Sequence, residues 1–116
     1  PSTTPVLPDD KELLRGKCII AIGSYMPEMR EIPDAVLDLV DNVYIELPYA
    51  CEESGDLSQP LASGKLTKDR VKLMHEYLVS GEKEIKEGQT TYFKSVGMGL
   101  FDVCIAQKLY EVAKEK

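Results

Sequence analysis

Positive charge is never concentrated in this chain. No run of Lys or Arg is longer than a pair, and the 116 residues carry a formal net charge of −6. Nucleic acids and anionic membranes are gripped by clustered basic residues, so this balance argues against both as partners. It leaves open a single anionic cofactor, which backbone N–H groups can hold. Histidine is nearly missing: His75 is the one example, with no second His or Cys near it in sequence. It is expected on a helix surface with no metal and no assigned role. The three cysteines, Cys18, Cys51 and Cys104, are odd in number and lack C-x-x-C spacing. Cys18 and Cys104 sit in apolar runs, so the expectation is buried, reduced thiols of a cytoplasmic protein rather than a disulfide or metal site. No apolar run approaches a membrane span, and the first residues show no signal-peptide pattern. No internal repeat or low-complexity tract is present. No G-x-G-x-x-G occurs, so these residues do not encode pyrophosphate binding of that kind.

What is present suits a single domain with a modest core: 43% of the residues are hydrophobic and 29% charged. The start, Pro1-Ser2-Thr3-Thr4-Pro5-Val6-Leu7-Pro8, reads like the middle of a longer protein cut after its own N-terminal part. Asp9 to Gly16 reads as a short helical turn closed by glycine. Lys17 to Ile22 is apolar at consecutive positions, the pattern of a strand buried on both faces of a parallel sheet. Pro33 suits the first position of a helix whose apolar side is Val36, Leu37, Leu39 and Val40. Val43 to Leu47 reads as a second strand, which completes a βαβ pattern. Ala50 to Ser54 and Asp56 to Leu61 suggest two helical turns. Thr67 is expected to cap a helix from Lys68 to about Val79, with Val71, Met74 and Leu78 on one stripe and Gly81 at its end. Glu82 to Gly88 reads as a charged loop and Gln89 to Val96 as a third strand. After Gly97-Met98-Gly99, a final helix from Leu100 to Lys114 presents Phe101, Cys104, Ile105, Leu109 and Val112. That face must pack on the sheet or on another subunit.

The chemistry is expected where the first strand ends, because open α/β sheets hold ligands at the carboxyl ends of their strands. There Ile22-Gly23-Ser24-Tyr25 leads into a polar loop carrying Glu28, Arg30 and Glu31. A solvated loop, or a salt bridge capping the Pro33 helix, is the expected role of these three charged residues.

Two stretches together carry a family resemblance. Ala21-Ile22-Gly23-Ser24-Tyr25-x-Pro27-x-x-Arg30-Glu31 resembles a loop of the ornithine cyclodeaminase/mu-crystallin family. Thr91-Tyr92-Phe93-Lys94-Ser95-Val96-Gly97-x-x-x-x-Asp102 resembles that family's C-terminal motif. Gly55-Asp56-Leu57, Pro60-Leu61 and Ser2-Thr3-Thr4-Pro5-Val6 fit the regions around them. The resemblance implies an α/β chain: the second half of a Rossmann-type parallel sheet, about three strands with flanking helices, plus a long C-terminal helix. Residues 1–116 would then be a single partial domain, whose last helix returns to a catalytic and dimerisation domain.

The resemblance further implies a longer protein that binds NAD or NADP and acts on a small amino acid or imine, as a homo-oligomer. The 116 residues alone would be inactive and bind no cofactor tightly. By the same resemblance, Ile22, Gly23, Ser24, Tyr25 and Ser95 would face the nicotinamide and Val96 would line the substrate pocket, with no metal. Glycine permits close approach of the backbone to a flat ring. Tyr25 stands where cyclodeaminases carry a catalytic aspartate, and Met29 where they carry a lysine. A phenol with a pKa of about 10 is a poor base at neutral pH but can donate a hydrogen bond. The loop therefore favours an imine reductase or amino-acid dehydrogenase, the alternatives being a non-catalytic NAD(P)H- or small-ligand-binding protein and a true ornithine cyclodeaminase.

Overall fold

Four short strands pair in parallel in the order β1-β4-β2-β3. The computed structural model describes residues 2–81 and 85–116. In chain order these hold α1 (Lys11–Leu14), β1 (Cys18–Ala21), α2 (Asp34–Leu39), β2 (Val43–Ile45), α3 (Ala50–Glu53) and α4 (Gly55–Ser63). There follow a 3₁₀ turn (Lys68–Arg70), β3 (Val71–Leu73), α5 (Met74–Ser80), β4 (Thr91–Lys94) and α6 (Gly99–Lys114). The α/β class and the parallel sheet agree with the sequence reading, with one strand more than expected. β3 lies inside the stretch read as a single helix from Lys68, and Thr67 makes no side-chain cap there. Val71, Met74 and Leu78 do recur at helical spacing, but Val71 pairs with Val43 and Leu73 with Ile45, and the helix starts only at Met74. Sheet pairing overrides the local pattern. Of the charged loop expected from Glu82 to Gly88, residues 82–84 lie outside the described residues.

The register assigns the two faces of the sheet. Ile19 and Ala21 lie beside Tyr92 and Lys94, which lie beside Val43 and Ile45. Apart from Lys94 this face is the core, closed by Ala35, Val36 and Leu37 of α2 together with Ala50, Leu57 and Leu66. The opposite face is only partly covered. Tyr44 is buried there against the Tyr77 ring of α5, at 5.1 Å between centroids. Ile20 and Ile22 remain 65% and 72% exposed. The expectation that β1 is buried on both faces is therefore corrected: its burial alternates, because among the described residues its outer side is left exposed.

Two of the three cysteines are corrected for the same reason. Cys18 points outward from β1, and Cys104 lies on α6, where no residue is buried; both are exposed, while Cys51 is half-buried. His75 is exposed on α5, as expected. The apolar side of α6 is left largely open: no residue of the helix is buried, and Phe101 at its start borders a cavity shared with Phe93 of β4. The projecting helix helps explain a radius of gyration of 15.7 Å, against about 13 Å for a compact chain of this length.

Two polar devices hold α2. Arg70 closes its C-terminal end: Nη2 donates to the carbonyls of Leu37 (2.6 Å) and Val40 (2.7 Å), and Nε to that of Asp41 (3.1 Å). These are the carbonyls that a helix end leaves without partners. On the helix, Asp38 is bridged by Lys11 at 2.7 Å and Lys65 at 2.5 Å. The hydrogen bond from Lys11, then that from Lys65, holds the Asp38 carboxyl below its ordinary value of 3.8.

Replacing Arg70 with Met is expected to destabilise the fold by about 2 kcal/mol, since charged donors to buried carbonyls are lost; urea denaturation measures this. For Asp38 the folded pKa lies below the unfolded one, so its contribution is present above pH 3.8 and is lost as the pH falls through the folded value. The Asp38→Asn variant should therefore lose less stability than the unsubstituted protein between pH 5 and pH 3, read from thermal melts across that range.

Candidate functional site

The carboxyl ends of β1 and β4 lie side by side, tied by a hydrogen bond from the Ser95 N–H to the Ala21 carbonyl at 3.0 Å. Ile22-Gly23 and Ser95-Val96 therefore form adjacent walls. Topology brings them together, since 73 positions separate Cys18 from its partner Thr91 in β4. Tyr25 follows on the same loop, half-exposed, and Ile22 is largely exposed. A shallow depression of about 270 Å³ runs beside the Ile22-Gly23 wall, lined by Val6, Ile20, Ile22, Gly23, Glu31 and neighbouring residues.

Each wall is held by a carboxylate that the sequence reading did not single out for that task. At the end of β2, Glu46 is buried. Its Oε1 accepts hydrogen bonds from Ser95 Oγ (2.9 Å), the Val96 N–H (2.7 Å) and the Gly97 N–H (3.2 Å). This fixes the turn after β4, where Gly97 adopts φ +88°, a left-handed conformation that glycine takes without a steric penalty. Tyr49 closes the turn by donating to the Gly97 carbonyl at 2.8 Å. At the start of α4, Asp56 is 1% exposed, and its Oδ1 accepts from the N–H groups of Glu31 (2.7 Å) and Ile32 (2.9 Å). Glu31 in turn accepts from the Gly23 N–H at 3.0 Å.

Ser24 is fully buried. Its hydroxyl donates to the Met29 carbonyl at 2.7 Å and shares a 2.8 Å hydrogen bond with the Ser54 hydroxyl. The side chain thus braces the loop from inside, and because neither it nor the Ser24 backbone reaches the surface, Ser24 is a support of the wall and not the nicotinamide contact that the resemblance implies. Arg30 pairs with Asp34 in the first turn of α2, in line with the expected salt bridge at the Pro33 helix. Glu28 is exposed on the loop, and Met29 is half-buried.

Beneath both walls is a lysine on the core face. Lys94, the last residue of β4, is fully buried, with Nζ 3.4 Å from Asp56 Oδ2. The two atoms form an ion pair, and neither has a well-aligned hydrogen-bond partner. Burial pulls the Lys94 ammonium below its ordinary range, and Asp56 pulls it back. The buried Tyr92 hydroxyl, two residues earlier on the same face, is pushed well above its ordinary value by burial and then by the Asp56 charge. Among the described residues, no group of three or more His, Cys, Asp and Glu side chains is arranged to hold a metal ion.

The sequence and the fold are shared with known proteins. The family model for the ornithine cyclodeaminase/mu-crystallin family matches residues 1–116. A Delta(1)-pyrroline-2-carboxylate reductase of Bacillus cereus is 35% identical over 99% of the chain and 36% of its own length. A probable ornithine cyclodeaminase of Bordetella pertussis superposes with a TM-score of 0.79 at 30% identity, over 99% of this chain and 37% of that one. The Delta(1)-pyrroline-2-carboxylate reductase of Thermococcus litoralis, solved with NADH and L-proline, superposes at 0.78 with 23% identity, over 98% of this chain and 36% of that one. The chain thus spans little more than a third of the length of these relatives.

Gly23, and Gly55, whose N–H donates to the Met26 carbonyl of the same loop, should respond differently to alanine. A Cβ at Gly55 would lie 2.1 Å from the Met29 carbonyl oxygen and 2.5 Å from that of Pro27, both backbone atoms. Gly55→Ala is expected to cost about 3 kcal/mol or more, because neither wall of the clash can swing away. A Cβ at Gly23 would meet the end of the Glu31 side chain, which can move. Gly23→Ala should cost about 1 kcal/mol, roughly the hydrogen bond it displaces. Paired denaturation curves check the ranking.

Proposed function

The chain belongs to the ornithine cyclodeaminase/mu-crystallin family, and from that premise we propose that it forms the nicotinamide-side wall of an NAD(P)-dependent cyclic-imine reductase. On this reading the substrate class is Δ1-pyrroline-2-carboxylate and related ketimines of small amino acids, and the chain is the C-terminal part of the working protein. The observation that carries the reading is the 35% identity to a pyrroline-2-carboxylate reductase across 99% of the chain. Two carboxylates rigidify the adjacent strand ends, which supports a wall built to position a ligand.

The local chemistry fits a flat cofactor ring. The Glu31 carboxylate takes the Gly23 N–H and fills the side where a Cβ would stand, so Gly23 presents a backbone with no unpaired donor. Ile22 adds an exposed apolar surface beside it. When bound, the nicotinamide would supply the hydride; the protein supplies binding and orientation. Ser95, held by Glu46, and the backbone of Ile22, Gly23 and Tyr25 would orient the ring, and Val96 would line the substrate pocket. The Tyr25 phenol would donate a hydrogen bond to the substrate. It offers no carboxylate for the proton exchanges of a cyclodeaminase.

A parallel sheet is normally covered on both faces, yet Cys18 and Ile20 stand bare here and the apolar side of α6 is exposed. We assign these surfaces to the remainder of the protein and to a second copy, giving a homo-oligomer. Sedimentation of the full-length protein as a monomer would contradict that assignment.

The deciding assay is reduction of Δ1-pyrroline-2-carboxylate by the full-length protein, followed by loss of NADH or NADPH absorbance. Turnover is expected with at least one of the two cofactors. Saturable NADH binding without turnover would mark a binding protein, and conversion of ornithine to proline would overturn the reading of Tyr25. Ser95→Ala should lower kcat/KM about tenfold, since it removes a group that orients the reacting partners.

A further inference from the structure

Lys94 occupies a place where the sheet calls for an apolar side chain. It lies on the core face between Ala21 and Ile45, in a central strand, and none of its side chain reaches solvent. Its partner Asp56 is equally buried, and the two charged atoms are 3.4 Å apart. Taking two charges out of water is costly, and an apolar pair of similar size often does as well or better for stability. Stability alone therefore gives little reason for this pair. The second oxygen of Asp56 shows what else it does. Through Oδ1, Asp56 holds the backbone of Glu31 and Ile32, while the neighbouring Ser54 and Gly55 hold Ser24 and the Met26 carbonyl. On the other side, Lys94 is bonded covalently to Ser95, which Glu46 fixes.

We infer that Lys94 and Asp56 are positioning residues: their ion pair locks the loop from Gly23 to Ile32 to the carboxyl end of β4, so that the two walls of the site hold one relative position. The assignment to catalysis rests on the reductase reading; the mechanical coupling does not. Neither side chain reaches the site surface, so both act through others. Lys94 acts through Asp56 on the loop that carries Gly23 and Tyr25. The Lys94 ammonium fixes where the Asp56 carboxylate sits, and the carboxylate fixes the two amides.

The test uses the full-length protein with Lys94→Met and the double variant Asp56→Asn/Lys94→Met. The double variant buries no charge and keeps an oxygen for the two amides, so it is expected to melt near the unsubstituted protein. Both variants should reduce kcat for Δ1-pyrroline-2-carboxylate by about tenfold or more, because small displacements of reacting groups carry penalties of that size. KM should change less than kcat. In both, amide exchange measured by mass spectrometry should accelerate across residues 23–32 and stay unchanged across residues 68–80. Turnover that recovers together with melting in the double variant would make the pair purely structural and overturn the inference, as would unchanged exchange in the loop. If the unsubstituted protein reduces no cyclic imine, the reductase reading fails, and loop exchange still decides whether the pair locks the walls.

Discussion

The buried carboxylate of Asp56 organises more of this molecule than its size suggests. One oxygen takes two backbone amides of the loop after β1, and the other faces the ammonium at the end of β4. Removing one member of such a pair leaves an uncompensated charge in the core, at about 3–5 kcal/mol. The loop has few apolar anchors of its own: Tyr25, Met26, Pro27 and Glu28 are exposed, and its shape comes from polar contacts to Ser54, Gly55, Asp56 and Gln59. Glu46 does the equivalent work at the neighbouring strand end. Both walls are thus backed by acids drawn from a third place in the chain, the segment after β2.

Much of the fold was legible because it follows from local pattern. The apolar run from Cys18 to Ile22, the helix behind Pro33 and the aromatic-rich strand before Gly97 each announce themselves over a few residues. The errors have one source. Consecutive apolar residues in β1 look the same whether both faces are covered or one, so the pattern predicts a buried Cys18 where the strand exposes it. Val71-Lys72-Leu73 is a three-residue strand whose apolar positions also fit the helix that follows, and only its pairing with Val43 to Ile45 separates the two.

The strand ends of the candidate site are legible in the sequence, and their supports are not. Gly23 and Ser95 stand at strand ends, where sequence reasoning looks for chemistry, and adjacent strands bring them together. Ser24 also belongs to that stretch, yet its hydroxyl faces inward, which only the position of Ser54 reveals. Asp56, Glu46 and Lys94 are charged residues in a chain that is 29% charged, and nothing in their spacing marks them as buried. One clue was available: Lys94 falls in the inward phase of an alternating strand, where a lysine needs a partner.

The strand order carries a consequence for how the chain can assemble. Among the described strands β4 comes latest in sequence, yet it does not add to an edge; it lies between β1 and β2 and links them. Before that insertion β1 has no hydrogen-bonded neighbour among the described strands, and Asp56 has no ammonium to face. Non-local parallel pairing is slow, because the loop must be closed before any contact repays it. The walls at Gly23 and Ser95 therefore cannot be shaped piecemeal as the chain collapses. They come into register in the same event that completes the sheet, so a molecule whose sheet has not closed has no site at all.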